Sequence, residues 1–561
     1  MVPTAIPIPP AVIHLGVVLT LGDGPDFIDC NSFSLSESVR GETGEDAIMK
    51  RRLVALAVAT CGIGLVAACD GPADNPPGAQ AGTGGVLTIG AAQGIKVLNP
   101  VTKSNAWEQA LFSLMWNSLV KTGQDLKTQP DLATAWSSSA DLRTWTFTLR
   151  QGVTFSNGKP LTPADVVSTI EYYRKPDTVT QLKNNVAPIV SVKASGADDV
   201  VFELTAPNAL FPTSIELVKI VDTASMSTME SQPAVTGPFK VKEFVADDHL
   251  TLERNPKFFG QAAKLDGVKL VKTADASAAV TALQAGDLDA LWSVPLSQVS
   301  SIQGNPRLRL SRPAVIGQYV SWEVDTTAPP FNNPKARQAL AYAIDARAIL
   351  KAAYFDQGVV STTNDPLTTN NPNYAGSLTD YTYNLDKARA LFAAAGITEG
   401  STLTWWGVAG QYPEWNISAQ ILQESLKKIG ITLKIENTDI ASWPAKFYPA
   451  GKQFPGMIVP NFQSFQPNAA DLLLFVLSGR CECNWNNKQV DDLYNRALGT
   501  ADPQGQKAVW GQVQELVNKE APIFVPLQFA TLTATKNTVA GLWVDGAGNP
   551  HVEDAGFVAG Q

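Results

Sequence analysis

The chain has 561 residues, 45% of them hydrophobic and 17% charged, with a formal net charge of −9. That balance is globular and excludes a disordered chain. The acid excess leaves no basic stripe for phosphates, which excludes a nucleic-acid partner.

Residues 1–48 are turn-rich, with Pro7-Ile8-Pro9-Pro10 and Gly22-Asp23-Gly24, and no pattern that builds a domain. They read as an upstream extension from a start codon placed too early. Met49-Lys50-Arg51-Arg52 is a basic start, Leu53 to Ala68 an apolar small-residue run, and Ala67-Ala68-Cys69 a lipobox-like end. The order is that of a bacterial secretory signal. Residues 49–68 are therefore expected to be removed and Cys69 to carry a diacylglyceryl group. Two acyl chains anchor stably where one binds only marginally, each buried methylene contributing about 0.8 kcal/mol. The Gly-, Pro- and Ala-rich stretch that follows makes 69–85 a lipidated cysteine and flexible tether. The expected location is the outer face of the cytoplasmic membrane, held through the lipid anchor. No other run approaches the length of a membrane span.

The body interleaves the two secondary-structure periods. Trp145, Phe147 and Leu149 alternate with polar residues as a half-buried strand. Asn157-Gly158 turns the chain, and Thr162-Pro163-Ala164-Asp165 opens a helix with Thr at the N-cap and Pro at the first helical position. Val200, Phe202 and Leu204 form a further strand, as do Leu250 and Leu252. Asp386 to Ala395 is a helix stopped by Gly396. Ile417, Ile421, Leu422, Leu426 and Ile429 make an amphipathic face before Gly430, and Ile431, Leu433 and Ile435 then alternate as a strand. Strands alternating with helices over this length predict α/β architecture.

Six segments in order resemble the family 5 extracellular solute-binding proteins, the dipeptide-, oligopeptide- and nickel-binding components of bacterial ABC importers. They are Leu132 to Trp136 with Asp141 and Trp145 to Phe155, Gly158 to Val166, Thr236 to Lys240, Leu252 to Phe259, Leu283 to Asp289, and Ala336 to Asp345. The resemblance runs from about residue 86 to about 545. It implies a bilobed periplasmic-binding-protein-like fold of the class II type, crossed twice by the chain near residues 313–322 and 520–530. Lobe I is then 86–314 plus 526–561, and lobe II is 315–525. It also implies a monomer without cofactor that takes a small-molecule ligand, a peptide or other polar solute, between the lobes and delivers it to ABC permease subunits.

Loops that enter such a cleft carry polar groups and aromatics without a core period. The candidates are Asn105 and Trp107, Trp322 on the first crossing, Trp405, Trp406, Gln411, Tyr412 and Trp415, and the run Asn461, Phe462, Gln463, Phe465 and Gln466. On a strand only one of Trp405 and Trp406 can face the cleft. The last run departs from peptide binders of the family, which usually present an acid to the ligand's α-ammonium group. Here Gln463, Gln466 and Asn468 surround Pro467, with no acid until Asp471. A neutral amide cannot balance a desolvated ammonium, so the loop favours neutral stacking solutes such as oligosaccharides, whereas frequency in the family favours peptides. A degenerate binder that docks on an envelope protein is the alternative within the same fold.

No catalytic site and no metal site is expected. His249 and His551 sit in no zinc or triad motif. Ser425-Leu426-Lys427-Lys428 and Lys121-Thr122-Gly123 match two pieces of penicillin-binding enzymes in reversed chain order, and the serine lies in an ordinary amphipathic helix. Cys481 and Cys483 are either a tight disulfide or a pair of free thiols.

Overall fold

Alternating apolar positions build three large sheets along the chain. The computed structural model describes residues 81–102, 106–180, 182–408, 410, 412–443, 447, 454–465 and 467–558. The upstream extension, the export signal, Cys69 and most of the tether lie outside the described residues. No described helix is long and apolar enough to cross a membrane.

Strand β1 (Val86–Ala91) is followed by helix α1 (Ala106–Phe112). Strands β2 (Ala133–Ser138), β3 (Thr144–Leu149), β4 (Ile189–Ser195) and β5 (Asp199–Leu204) form an antiparallel sheet in the order β2-β3-β5-β4. Trp145, Phe147 and Leu149 are its buried alternation on β3. Between β3 and β4 lies α2 (Pro163–Arg174), whose start is fixed by Asp165 accepting from the Thr162 backbone N–H at 2.9 Å and its hydroxyl at 2.8 Å. Strands β6 (Phe239–Val245), β7 (His249–Arg254), β8 (Gly267–Lys272), β9 (Ala290–Leu291) and β10 (Leu308–Ser311) then return to β1. Residues 86–311 thus contribute to two large sheets where the sequence reading sees one lobe. A single core cluster containing Leu87 and Ile89 of one and Phe147 and Phe202 of the other unites them.

The second seven-stranded sheet begins with β11 (Gln318–Val324), buried along its whole length. After it come α3 (Pro334–Ala343), α4 (Ala346–Tyr354), β12 (Gly358–Val360), α5 (Leu385–Ala394), β13 (Thr402–Val408), α6 (Pro413–Lys427), β14 (Thr432–Thr438) and β15 (Met457–Ser464). Helices α7 (Lys488–Leu498) and α8 (Pro503–Glu520) lead to β16 (Ile523–Phe524) and β17 (Leu527–Phe529). Strand β18 (Thr533–Lys536) closes the circuit by pairing with β9 and β10 of the first sheet. The sheet orders are β10-β18-β9-β1-β8-β7-β6 and β12-β17-β11-β15-β13-β14, with β16 also on β11. Helix α6 is set by Pro413 at its start and by buried Trp415, Ser418, Ala419, Leu422, Ser425 and Leu426 at helical spacing.

The links between the two seven-stranded sheets are residues 312–317 and 530–532. Because β11 and β17 pair with each other, the lobe II sheet runs on through Phe529 before the second link. Gln318 ties the links together. Its Nε2 donates to Thr531 Oγ1 at 2.9 Å and its Oε1 accepts from the Thr531 N–H at 2.7 Å. Gly317 is required here, since a Cβ would collide with the Phe465 carbonyl.

Candidate functional site

Strands β13, β14 and β15 run parallel, so their C-terminal ends, Val408, Thr438 and Ser464, point the same way. Ser464 pairs with Gln318, so that end is the linked end of lobe II. In lobe I, β1, β8 and β9 are parallel, and Trp292 follows β9. The Trp292 carbonyl accepts from the Thr533 hydroxyl at 3.0 Å, just beyond the second link. Both lobes therefore turn the C-terminal ends of their parallel strands toward the links, where open α/β sheets bind ligands.

The lobes touch along this seam. The Gly317 N–H donates to the Gly546 carbonyl at 2.8 Å, and the Ser464 hydroxyl to the Ala547 carbonyl at 3.0 Å. Farther out, the Ala209 N–H donates to the Leu498 carbonyl at 2.6 Å. Leu210 and Leu296 of lobe I pack against core clusters of lobe II.

Backbone register sorts the candidate residues by face. Trp322 pairs with Pro460 and Val320 with Phe462, so these four share one face of lobe II. Asn461 and Gln463 are buried on the opposite face, across from Ser321 and Tyr319. The polar run thus splits by alternation, and only Phe462 points toward α6. There it meets Tyr412, ring centroids 5.7 Å apart, and Trp415, 6.5 Å apart. Tyr412 stacks on Trp415 at 4.2 Å. Phe462 is 42% exposed, so its ring is the accessible part of this cluster, in front of buried Trp415.

Trp405 and Trp322 meet edge to face at 4.9 Å with no accessible surface, and neither indole N–H has a hydrogen-bond partner among the described residues. The Trp405 ring lies along its own strand, and a Cβ on Gly407 would press on its Nε1. Trp406 instead stacks on Trp443 at 4.6 Å, and Trp443 reaches Trp415 at 5.7 Å. Phe465 stacks on Phe475 at 5.1 Å and joins the other core of lobe II. On the lobe I side, half-buried Trp107 meets Trp292 edge to face at 5.9 Å. Asn105, Gln411 and Gln466 lie outside the described residues.

Sequence reasoning missed Trp292, Trp443 and the acid Glu414. Each is a single residue whose role depends on a distant contact. Glu414 stands between Tyr412 and Trp415 in the first turn of α6, and burial pushes its carboxyl above the usual carboxylate range. Asp471, the acid that ends the polar run, is pushed by burial to about 6 and is engaged by Asn468, whose Nδ2 donates to its Oδ2 at 2.6 Å. Cys481 and Cys483 are joined in a disulfide with Cα atoms 5.0 Å apart. Glu323 lies close to both sulfurs, but the bond between them leaves no thiolate for a metal.

Two α/β lobes, joined by two short links around an aromatic seam, define a clamp for a small solute. The chain belongs to the bacterial extracellular solute-binding proteins, family 5, whose model matches residues 127–479. It is a solute-binding protein of a family that is not one of enzymes. Glutathione-binding protein GsiB of Salmonella typhi is 26% identical over 481 residues, covering 82% of this chain and 92% of that protein. The periplasmic binding protein DppA from Helicobacter pylori in complex with a peptide superposes with a TM-score of 0.72 at 21% identity, covering 85% of this chain and 98% of that one. Clavulanic acid biosynthesis oligopeptide binding protein 2 gives a TM-score of 0.77 at 21% identity, covering 86% and 97%.

Proposed function

We propose that the protein is a lipid-anchored receptor that captures a peptide or peptide-like solute outside the cell and hands it to the permease of an ABC importer. The observation that carries this reading is exposed Phe462 at the linked end of lobe II, packed on half-buried Tyr412 and buried Trp415. Such a ring stacks on planar peptide groups and apolar side chains. The relative named for glutathione, itself a peptide, points to the same class.

Residues 312–317 and 530–532 serve as hinges, and Trp107 and Trp292 face the solute from lobe I. A solute that touches both lobes only when they are together shifts the population toward the closed form by that difference in affinity. The permease reads the closed form, and separate subunits hydrolyse ATP. Cys69 carries the anchor.

Mass spectrometry of the natively purified protein tests the reading. A co-purifying peptide or peptide derivative is expected, and recovery of only a sugar or a metal complex would refute it. Replacing Cys69 with Ala is expected to release the protein from the membrane with its solute affinity unchanged; membrane retention would refute the anchor.

A further inference from the structure

Lobe II holds a cavity of about 260 Å³ between the end of α3, the start of α4, the segments that follow β12 and precede α5, and the join of β16 to β17. Ile344, Ala346, Val360, Tyr381, Tyr383 and Pro526 supply its apolar lining. Val360 pairs with Leu527 and Gly358 with Phe529, so the cavity lies at the ends of β12 and β17 farther from the second link. None of Tyr412, Trp415 and Phe462 lines it. Close packing leaves few voids wider than a water molecule in a protein interior, and the solute crevice does not account for this one.

The polar groups around the cavity are nearly all engaged within the lobe. Asn364 donates from Nδ2 to the Ile523 carbonyl at 2.7 Å and accepts at Oδ1 from the Val525 N–H at 2.6 Å. The Tyr381 hydroxyl donates to the Asn518 carbonyl at 2.9 Å and the Ser361 hydroxyl to the Asp365 carbonyl at 3.2 Å. The Tyr383 hydroxyl accepts from Ser425 at 3.2 Å, and Thr362 and Thr382 both serve the Asp380 carboxylate. A buried water needs about two to four polar partners, and these walls offer it few. An apolar cavity of about 150 Å³ stays dry and takes benzene, so this one has room for two fused rings.

Two charged side chains stand at its rim. Asp345 is the N-cap of α4, its Oδ1 accepting from the Ala348 N–H at 3.0 Å, and its charge is met by the positive end of that helix. Arg347 is exposed and makes no hydrogen bond or ion pair among the described residues. Its guanidinium is a planar fork that matches a carboxylate.

We propose that this cavity is a second binding site, separate from the solute crevice, for a flat one- or two-ring molecule that carries a carboxylate. The rings enter among Ile344, Tyr381 and Tyr383, and the carboxylate stays at the rim on Arg347.

The test is calorimetric titration of the purified protein at pH 7 with naphthalene-2-carboxylate and with naphthalene-2-carboxamide. Wild type is compared with Arg347→Gln, with Lys335→Gln at the other end of α3, with Ala346→Phe, which fills the cavity, and with Phe462→Ala in the crevice. Expected is saturable binding at one site, with the carboxylate favoured about threefold or more, as an exposed ion pair gives. That preference is lost in Arg347→Gln and kept in Lys335→Gln and Phe462→Ala, and neither probe binds Ala346→Phe. The comparison of Arg347→Gln with Lys335→Gln decides even where Ala346→Phe does not fold. No binding by wild type, binding that survives in a folded Ala346→Phe, or binding lost in Phe462→Ala overturns the site. Equal binding of the two probes, or a preference that survives Arg347→Gln, overturns the pairing of carboxylate with Arg347. Each of these results leaves the solute reading above standing, since that reading is tested by what co-purifies.

Discussion

Gln318 is the side chain through which the two links hold each other, and its removal has a calculable cost. Gln318→Leu keeps the volume of the buried side chain but removes both bonds to Thr531, at 2.9 and 2.7 Å. Each bond is worth about 1 kcal/mol net, and the part-buried Thr531 N–H is left unpaired, so a loss of about 2–3 kcal/mol is expected. Urea unfolding of the full chain, followed by tryptophan fluorescence, reads this as a lower midpoint at unchanged slope. Gln420→Leu on the exposed face of α6 serves as control and is expected within about 0.5 kcal/mol of wild type. A Gln318→Leu variant as stable as that control would refute the idea that the links are coupled through this side chain.

Phe462 is 42% exposed and touches Tyr412 and Trp415. Phe462→Ala is therefore expected to weaken affinity for the co-purified solute about tenfold or more while changing stability by less than about 1 kcal/mol, read by calorimetric titration and thermal melting; unchanged affinity would remove this wall from the site. His551 is held between Asp545 at 3.3 Å and Glu553 at 3.2 Å. Despite an opposing desolvation, its charged neighbours raise it from 6.5 to about 10, and it in turn lowers Glu553 from 4.5 to about 2. The histidine's contribution is complete below pH 6.5 and lost as pH rises through about 10, while that of Glu553 is complete above pH 4.5 and lost as pH falls through about 2. The melting-temperature deficit of His551→Gln is thus expected to be largest between pH 4.5 and 6.5 and to shrink on both sides; a deficit independent of pH would refute the ion pairing.

Features set by neighbours in sequence were legible from sequence. The alternation at Trp145, Phe147 and Leu149, the Thr162 to Asp165 helix start and the amphipathic face of α6 all depend on residues a few positions apart. The family resemblance likewise rested on short runs, and it led to the bilobed α/β fold. What stayed hidden depends on register across long separations. The pairing of β11 with β15 decides that Phe462 faces α6 while Asn461 and Gln463 turn into the opposite core. No local pattern reveals that Trp406 and Trp443 stack, or that Trp107 finds Trp292. Residues 86–311 read as one lobe because both of their large sheets feed one core, a fact about packing rather than about periodicity.

The central claim, that two linked lobes clamp a solute in the seam between them, is tested most directly by small-angle scattering. The mature protein would be stripped of carried solute, then measured alone and with saturating amounts of the solute identified by mass spectrometry. The account predicts a smaller radius of gyration on binding, reversed when the solute is removed. Saturated binding with an unchanged scattering profile would contradict it.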